Sequence, residues 1–391
     1  MINSNHTSKI FVTSIESVGD SDFSKLQYVF LTEKVIYMGY WENGILGLVT
    51  GDALGVPVEF KSREELKINP VRDMTGFGTY DVPAGSWSDD SSMALAELAS
   101  LVELKKSENE KSTESEEDTD FFSGSEPLID LNDIMRRFAA WIDHGGYTPQ
   151  GEAFDMGTSC STAIARFKEG KDVQSCGSTG ENSNGNGSLM RILPVCIYLW
   201  EKQAASNLSD EETVGWIHQV SALTHAHIRS MVACGIYYFC VREILNNKLS
   251  KTEASLPLMD LLQTGVHKAF SFYFSQDNIP SKELYYYNRL RNLQSLADAD
   301  VSTIFSSGYV VHTITAAFWC LITTTSYREC VLKAVNLGND TDTTAAVAGG
   351  LAGLYYAENQ IPGEWLSRII RIDWIRSLCR QMEIYSNTIQ K

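Results

Sequence analysis

The sequence is short of positive charge, of paired cysteines and of long apolar runs, and each shortage excludes something. Lysine and arginine number 32 against 49 aspartates and glutamates, a formal charge of −17. Such a chain is poorly suited to nucleic acid or anionic lipid, which attract basic patches, so neither is expected as a partner. The eight cysteines form no Cys-x-x-Cys pair, which removes the zinc ribbon and the thioredoxin-type dithiol. Scattered through apolar stretches, they are predicted to be free, buried thiols in a reducing compartment. The most apolar windows, Val310–Ile322 and Ala345–Tyr356, are too short to span a bilayer. The first residues show no basic segment followed by an apolar block. A cytoplasmic location is therefore expected. No Walker A or Gly-x-Gly-x-x-Gly pattern occurs, which argues against the common nucleotide-binding folds. Strand-like alternation is nearly absent.

Apolar residues recur instead at helical spacing. The pattern predicts helices over 35–54, from Ser88 onward, over 134–142 and 188–200, and in 213–246, 255–276, 308–322, 327–337 and 343–357. The fold class expected is all-α, one catalytic-sized domain over 38–391 preceded by an extension, 1–37. Residues 105–125 open with the acidic, Ser/Thr-rich run KKSENEKSTESEEDTD, which has no apolar anchor and reads as a disordered insertion.

Three acidic clusters stand out: Ser88–Asp89–Asp90–Ser91, Asp340–Thr341–Asp342–Thr343, and a looser pair, Asp52 and Glu59, in GDALGVPVEF. The first two sit at the starts of apolar helices. Asp, Ser and Thr there can be ordinary caps, and that reading stays open. Two carboxylates per motif exceed what one cap needs. If the helix starts converge, the acids repel, and hard divalent cations with oxygen ligands would relieve them. Gly145, Gly146, Gly151, Gly157, Gly185, Gly187 and Gly308 punctuate the polar loops and permit close backbone approach to phosphates or simply turn the chain. His225 and His227, at i and i+2, do not share a helix face and read as structural.

These motifs occur in an order that resembles the ADP-ribosylglycohydrolase family. The match runs through GILGLVTGDALGVPVEF, GSWSDDSSMALAELA, RRFAAWIDHGGYTPQGEAFDMGTS, NGNGSLMRILPV, LTHAH, SSGYVVHTITAAFW and NLGNDTDTTAAVAGGLAGLYY. The resemblance implies an all-α fold with two divalent metal ions, Mg²⁺ or Mn²⁺, in a cleft. It assigns Ser88, Asp89, Asp90, Asp340, Asp342 and Thr343 as metal ligands and Asp155 and Glu59 as the candidates for general acid and base. It places Gly157, Thr158, Asn186, Gly187, Ser188, Gly308 and Tyr309 against ADP-ribose. Serine replaces the usual threonine at 88 and 91, Thr158 stands where some relatives have asparagine, and His312 stands where an acid is frequent. The activity implied is metal-dependent removal of ADP-ribose from a mono-ADP-ribosylated protein side chain, arginine first, releasing ADP-ribose. Alternatives are an ADP-ribosylserine or other conjugate hydrolase, a metal phosphoesterase on the same fold, a silent ADP-ribose-binding module, and a structural protein whose acids only cap helices.

Overall fold

The structure is a computed structural model that describes residues 39–114, 127–250 and 256–388. The expected extension, 1–37, and residues 115–125 of the acidic tract lie outside the described residues. The helices in chain order are α1 (Tyr40–Gly55), α2 (Arg63–Ile68), α3 (Asp89–Glu114), α4 (Leu131–His144), α5 (Thr158–Lys168), α6 (Leu193–Ser206), α7 (Asp210–Ala222) and α8 (Ile228–Leu249). They continue with α9 (Leu258–Phe274), α10 (Ser281–Tyr285), α11 (Leu293–Ala297), α12 (Val310–Ile322), α13 (Tyr327–Val335), α14 (Thr341–Tyr356), α15 (Gly363–Leu366) and α16 (Ile372–Thr388). No strand occurs among the described residues, only two isolated bridges, Ser178–His225 and Gly185–Tyr309. The all-α expectation holds, and all eight cysteines are free and buried.

Local chemistry sets the helix ends. Ser62 with Glu65, and Ser209 with Glu212, form reciprocal capping boxes at α2 and α7. Asp130 caps α4, whose chain leaves through left-handed Gly145. Three expected segments are corrected. The helix foreseen from Ser188 begins at Leu193, where Pro194 in the first turn suits a helix start. The stretch 213–246 is two helices, because the loop between them turns to pair with Ser178. Ser178 N–H donates to Thr224 O at 3.2 Å, and Ala226 N–H donates to Ser178 O at 3.0 Å. The disorder expected from residue 105 is replaced by helix as far as Glu114. Its anchors are polar and so carry no apolar signature. Lys105 is buried, pairing with Glu201 of α6 and donating to Ser386 of α16, and Lys202 holds Glu108 at 2.7 Å.

The centre of the molecule is the antiparallel pair α1 and α14, packed backbone to backbone. A Cβ placed on Gly47, Gly51 or Gly55 would lie 2.3 Å from Gly349 O, 2.2 Å from Ala345 O and 2.3 Å from Asp342 Cα. No side chain fits there, so glycine at four-residue spacing lets the helices touch. Tyr327 closes the seam by donating to Gly47 O at 2.7 Å. α13, α12 and α8 pack around α14, and α16 packs on α3 and α1. Gly51→Ala is expected to destabilise the fold by at least the ~1–3 kcal/mol typical of core overpacking. Thermal or urea unfolding measures it, and a variant as stable as wild type would contradict the seam.

Candidate metal and active site

The seam delivers the end of α1 to the beginning of α14, and the start of α3 meets them there. Asp52, fully buried in the last turn of α1, accepts the Ser88 N–H at 3.0 and 3.1 Å. It also accepts the Ser91 N–H at 3.0 Å and the Ser91 hydroxyl at 2.5 Å. Those N–H groups belong to the start of α3, which has no intrahelical partners for them. Asp52 therefore caps α3 from another helix and relieves Asp89 and Asp90 of that work. At α14 the N-cap residue, Asp340, makes no side-chain cap bond. Its Oδ2 accepts instead from Asn186 Nδ2 at 2.8 Å. Capping alone does not account for these acids.

The two motifs converge. Thr343 Oγ1 donates to Asp90 Oδ2 at 3.3 Å, and Ser88 Oγ donates to the same oxygen at 3.0 Å. Three overlapping trios each bring one oxygen per residue within 4.8 Å: Asp52, Asp90 and Asp342; Glu59, Asp155 and Asp342; Asp89, Asp90 and Asp155. Among the described residues, Glu59 Oε2, Asp90 Oδ1, Asp340 Oδ1 and Asp342 Oδ2 are buried with no hydrogen-bond partner. Buried carboxylate oxygens left bare are costly unless a cation takes them.

The electrostatics agree. Burial, then the charge of Asp155, pushes the Glu59 carboxyl up to about 9. Burial raises Asp52 to about 6 against the opposing bonds from Ser91 and Ser88. Asp89, Asp90 and Asp342 are driven well above the carboxylate range by burial and by their acidic neighbours. Burial also raises Asp155, opposed by hydrogen bonds from Tyr80 and Glu59. Tyr80 OH donates to Asp155 Oδ1 at 2.7 Å.

The residues expected to meet ADP-ribose divide. Gly157 is the N-cap of α5 without a side-chain cap, with open space where a Cβ would stand, and Thr158 beside it is exposed. Asn186 reaches Asp340 and also donates to Thr313 Oγ1 at 2.9 Å. Gly308 borders the acids, since a Cβ there would lie 3.3 Å from Asp340 Oδ2. Gly187 is buried: a Cβ would meet His225 Cε1 at 2.8 Å and Cys160 Sγ at 3.0 Å. Ser188 faces inward, its hydroxyl accepting from Ser221 at 2.9 Å, so it offers no side chain to the cleft. Tyr309 is held by Arg229, whose Nη1 donates to its hydroxyl at 3.2 Å. His225 is buried against Thr224, and His227 caps α8.

Sequence reasoning did not single out Tyr80 or Thr313, nor the capping work of Asp52. Asp52 stood inside a noticed cluster. Tyr80 and Thr313 reach their partners only through the tertiary fold. The rim also carries backbone outside the usual regions, with positive φ at Phe60 (65°), Phe77 (57°), Asp81 (51°), Asp155 (56°) and Asn339 (60°). Such conformations persist where the surroundings enforce them, often at ligand sites.

Fold and site together define an all-α protein whose helix starts gather a buried, oxygen-lined acidic cluster. The chain belongs to the ADP-ribosylglycohydrolase family, whose model matches residues 42–390. It is 27% identical over 342 residues to the ADP-ribosylarginine hydrolase Tri1 of Serratia proteamaculans, covering 87% of this chain and 78% of that protein. It is 28% identical over 329 residues to the ADP-ribosyl-[dinitrogen reductase] glycohydrolase of Rhodospirillum rubrum, with 84% and 89% covered. A solved structure, an ADP-ribosylglycohydrolase-related protein complex, superposes with a TM-score of 0.61 at 24% identity. That match covers 89% of this chain and 98% of the other, and it supports the shared fold. No helix among the described residues is long and apolar enough to cross a membrane.

Proposed function

We propose that this protein hydrolyses the glycosidic bond at ribose C1″ of a mono-ADP-ribosylated protein side chain, most directly arginine, and releases ADP-ribose. The observation that carries the reading is the convergence of two acid-bearing helix starts on one buried cluster with bare carboxylate oxygens. The names of the relatives, an arginine hydrolase and a dinitrogen-reductase glycohydrolase, favour the arginine linkage.

The donor set fits divalent cations: every candidate is a hard oxygen, and the unpartnered atoms are ionisable. Asp89, Asp90, Asp340 and Asp342 would hold two Mg²⁺ or Mn²⁺ ions, with Ser88 and Thr343 as neutral oxygens. When bound, such ions supply positive charge that orients sugar hydroxyls and makes water more acidic. The chain's own groups do the rest. Glycosidases commonly set one carboxyl as acid and another as base or stabiliser, and unequal environments assign the roles. Glu59, whose carboxyl is raised by burial and then by the charge of Asp155, is the candidate to carry the proton the leaving guanidine requires. Asp155, held by Tyr80, would face the developing positive charge at C1″. Asn186 fixes the Asp340 carboxylate. The free N–H groups at the start of α5, beside Gly157 and Thr158, would bind pyrophosphate. Tyr309 is the candidate to stack on adenine.

The test uses one protein ADP-ribosylated on arginine and another modified on serine, each with Mg²⁺, with Mn²⁺ and with EDTA, following released ADP-ribose. Cation-dependent release from the arginine conjugate supports the proposal. Release from serine alone would change the linkage, and phosphate or AMP as product would change the reaction. Tyr80→Phe is expected to lower kcat about 10–100-fold, the loss usual when an orienting bond to a site group is removed. KM should change little, and an unchanged kcat would remove Tyr80 from the site.

A further inference from the structure

Three segments meet as a ledge beside Glu59 and Asp155: 57–60, 76–82 and 154–156. They are clamped together. Gly78 lies so close that a Cβ would stand 1.7 Å from Pro57 O. Thr79 N–H donates to Pro57 O at 3.1 Å, and its hydroxyl donates to Glu59 O at 2.7 Å. Tyr80 joins the third segment through Asp155, and its ring lies 4.9 Å from that of Phe154 and 6.5 Å from that of Phe60. On this rigid base large apolar side chains point outward: Phe60 is 68% exposed, Phe77 71% and Met156 47%. Phe60 and Phe77 adopt left-handed backbone, which bulky side chains disfavour. Exposed aromatic rings on strained, clamped backbone are features of a recognition surface.

The charge of the ledge narrows the partner. Residues 76–82 and 151–156 contain no lysine or arginine, while Asp81 and Glu152 are exposed there. Lys61, which follows Phe60, is outnumbered by these two exposed acids. Aromatic faces beside uncompensated acids favour lysine or arginine side chains, through cation–π contact and charge attraction. We infer that the ledge docks the modified protein itself, through a segment that carries basic side chains next to the ADP-ribosylated residue. The inference rests on the function proposed above.

The experiment separates the two. Wild type and the variants Phe77→Asn and Phe60→Asn/Phe77→Asn are assayed on free ADP-ribosyl-arginine and on a peptide ADP-ribosylated at arginine, with lysine flanks or with glutamate flanks. Asparagine tolerates left-handed backbone, so the fold is kept. Wild type should prefer the lysine-flanked peptide. The variants should raise KM for it about tenfold, the loss typical of one anchoring aromatic, and leave kcat unchanged. Turnover of free ADP-ribosyl-arginine should not change. Equal loss on the free conjugate would overturn the inference, because the rings would then serve ADP-ribose or the fold. An unchanged KM, or no preference between the flanks, would overturn it too, as would a wild-type dimer that the variants cannot form. If wild type hydrolyses neither the free conjugate nor the peptides, the proposed function fails first and the docking inference falls with it.

Discussion

Asp342→Asn is expected to abolish turnover and, in EDTA, to melt at a higher temperature than wild type. The substitution keeps the shape of the side chain and removes one charge. Without cations, Asp342 is a cost: it is fully buried, and Glu59, Asp90, Asp340 and Asp155 all oppose its ionisation. Neutralising it relieves that repulsion. With cations the sign reverses, because its bare Oδ2 is one of the oxygens available to them. Wild type should gain stability on adding Mg²⁺, by roughly 2.7 kcal/mol at a hundred times the dissociation constant. The variant should gain far less. Turnover should fall by more than about 100-fold, since loss of an outer partner alone costs about 10–100-fold. Melting curves with and without Mg²⁺, beside the release assay, check both halves. A variant with wild-type turnover and a wild-type Mg²⁺ response would remove the acids from the site.

The metal-free protein should lose stability as pH rises, the reverse of ordinary acid denaturation. Glu59 has an unfolded reference of 4.5 and is pushed up to about 9 in the fold. Between those values the folded chain keeps a proton that the unfolded chain has released. Stability falls wherever the native state binds more protons. Its contribution is thus fully present below 4.5 and lost as pH climbs through 9. Asp52 acts the same way from 3.8 to about 6, and Asp89, Asp90 and Asp342 shift in the same direction. The loss should be on the order of a few kcal/mol over that window. Mg²⁺ prefers the ionised acids, so it should flatten or invert the slope. Urea unfolding midpoints in EDTA and in Mg²⁺, taken across the window, measure it. A metal-free stability that rises steadily with pH would contradict the crowded cluster.

Much of this was legible in the sequence because it is local. Helical periodicity reports a buried stripe, and α4 and α13 carry one, while α1, the first half of α3, α12 and α14 are apolar runs buried on nearly every face. The SDDS and DTDT motifs announced themselves by having more carboxylates than a cap requires. What was hidden depends on distant partners. Asp52 caps a helix 36 positions away, so nothing near it signals the role. Tyr80 finds Asp155 across 75 positions. The extension of α3 past residue 105 rests on Lys105 and Glu108 meeting α6, and polar anchors leave no apolar period. Ser188 belonged to a polar motif, yet its hydroxyl turns toward Ser221 in the interior. The break between α7 and α8 comes from pairing with Ser178, which periodicity within 213–246 cannot report.

The glycine seam also governs the order of events during folding. Thr341 bonds to Gly55 O across 286 positions, and Tyr327 bonds to Gly47 O across 280. Neither contact repays its loop-closure entropy until nearly the whole chain is present. A nascent chain can form α1 and the start of α3 early, but Asp340 and Asp342 arrive only with α14. The cluster is thus gathered from segments around residues 52–59, 89–90, 155 and 340–342, and long-range closure of this kind is slow. Until it happens, α1 leaves the chain-building machinery with a bare glycine face and an unspent acid at its end. Synthesis must run past residue 343 before the acids can gather in one place.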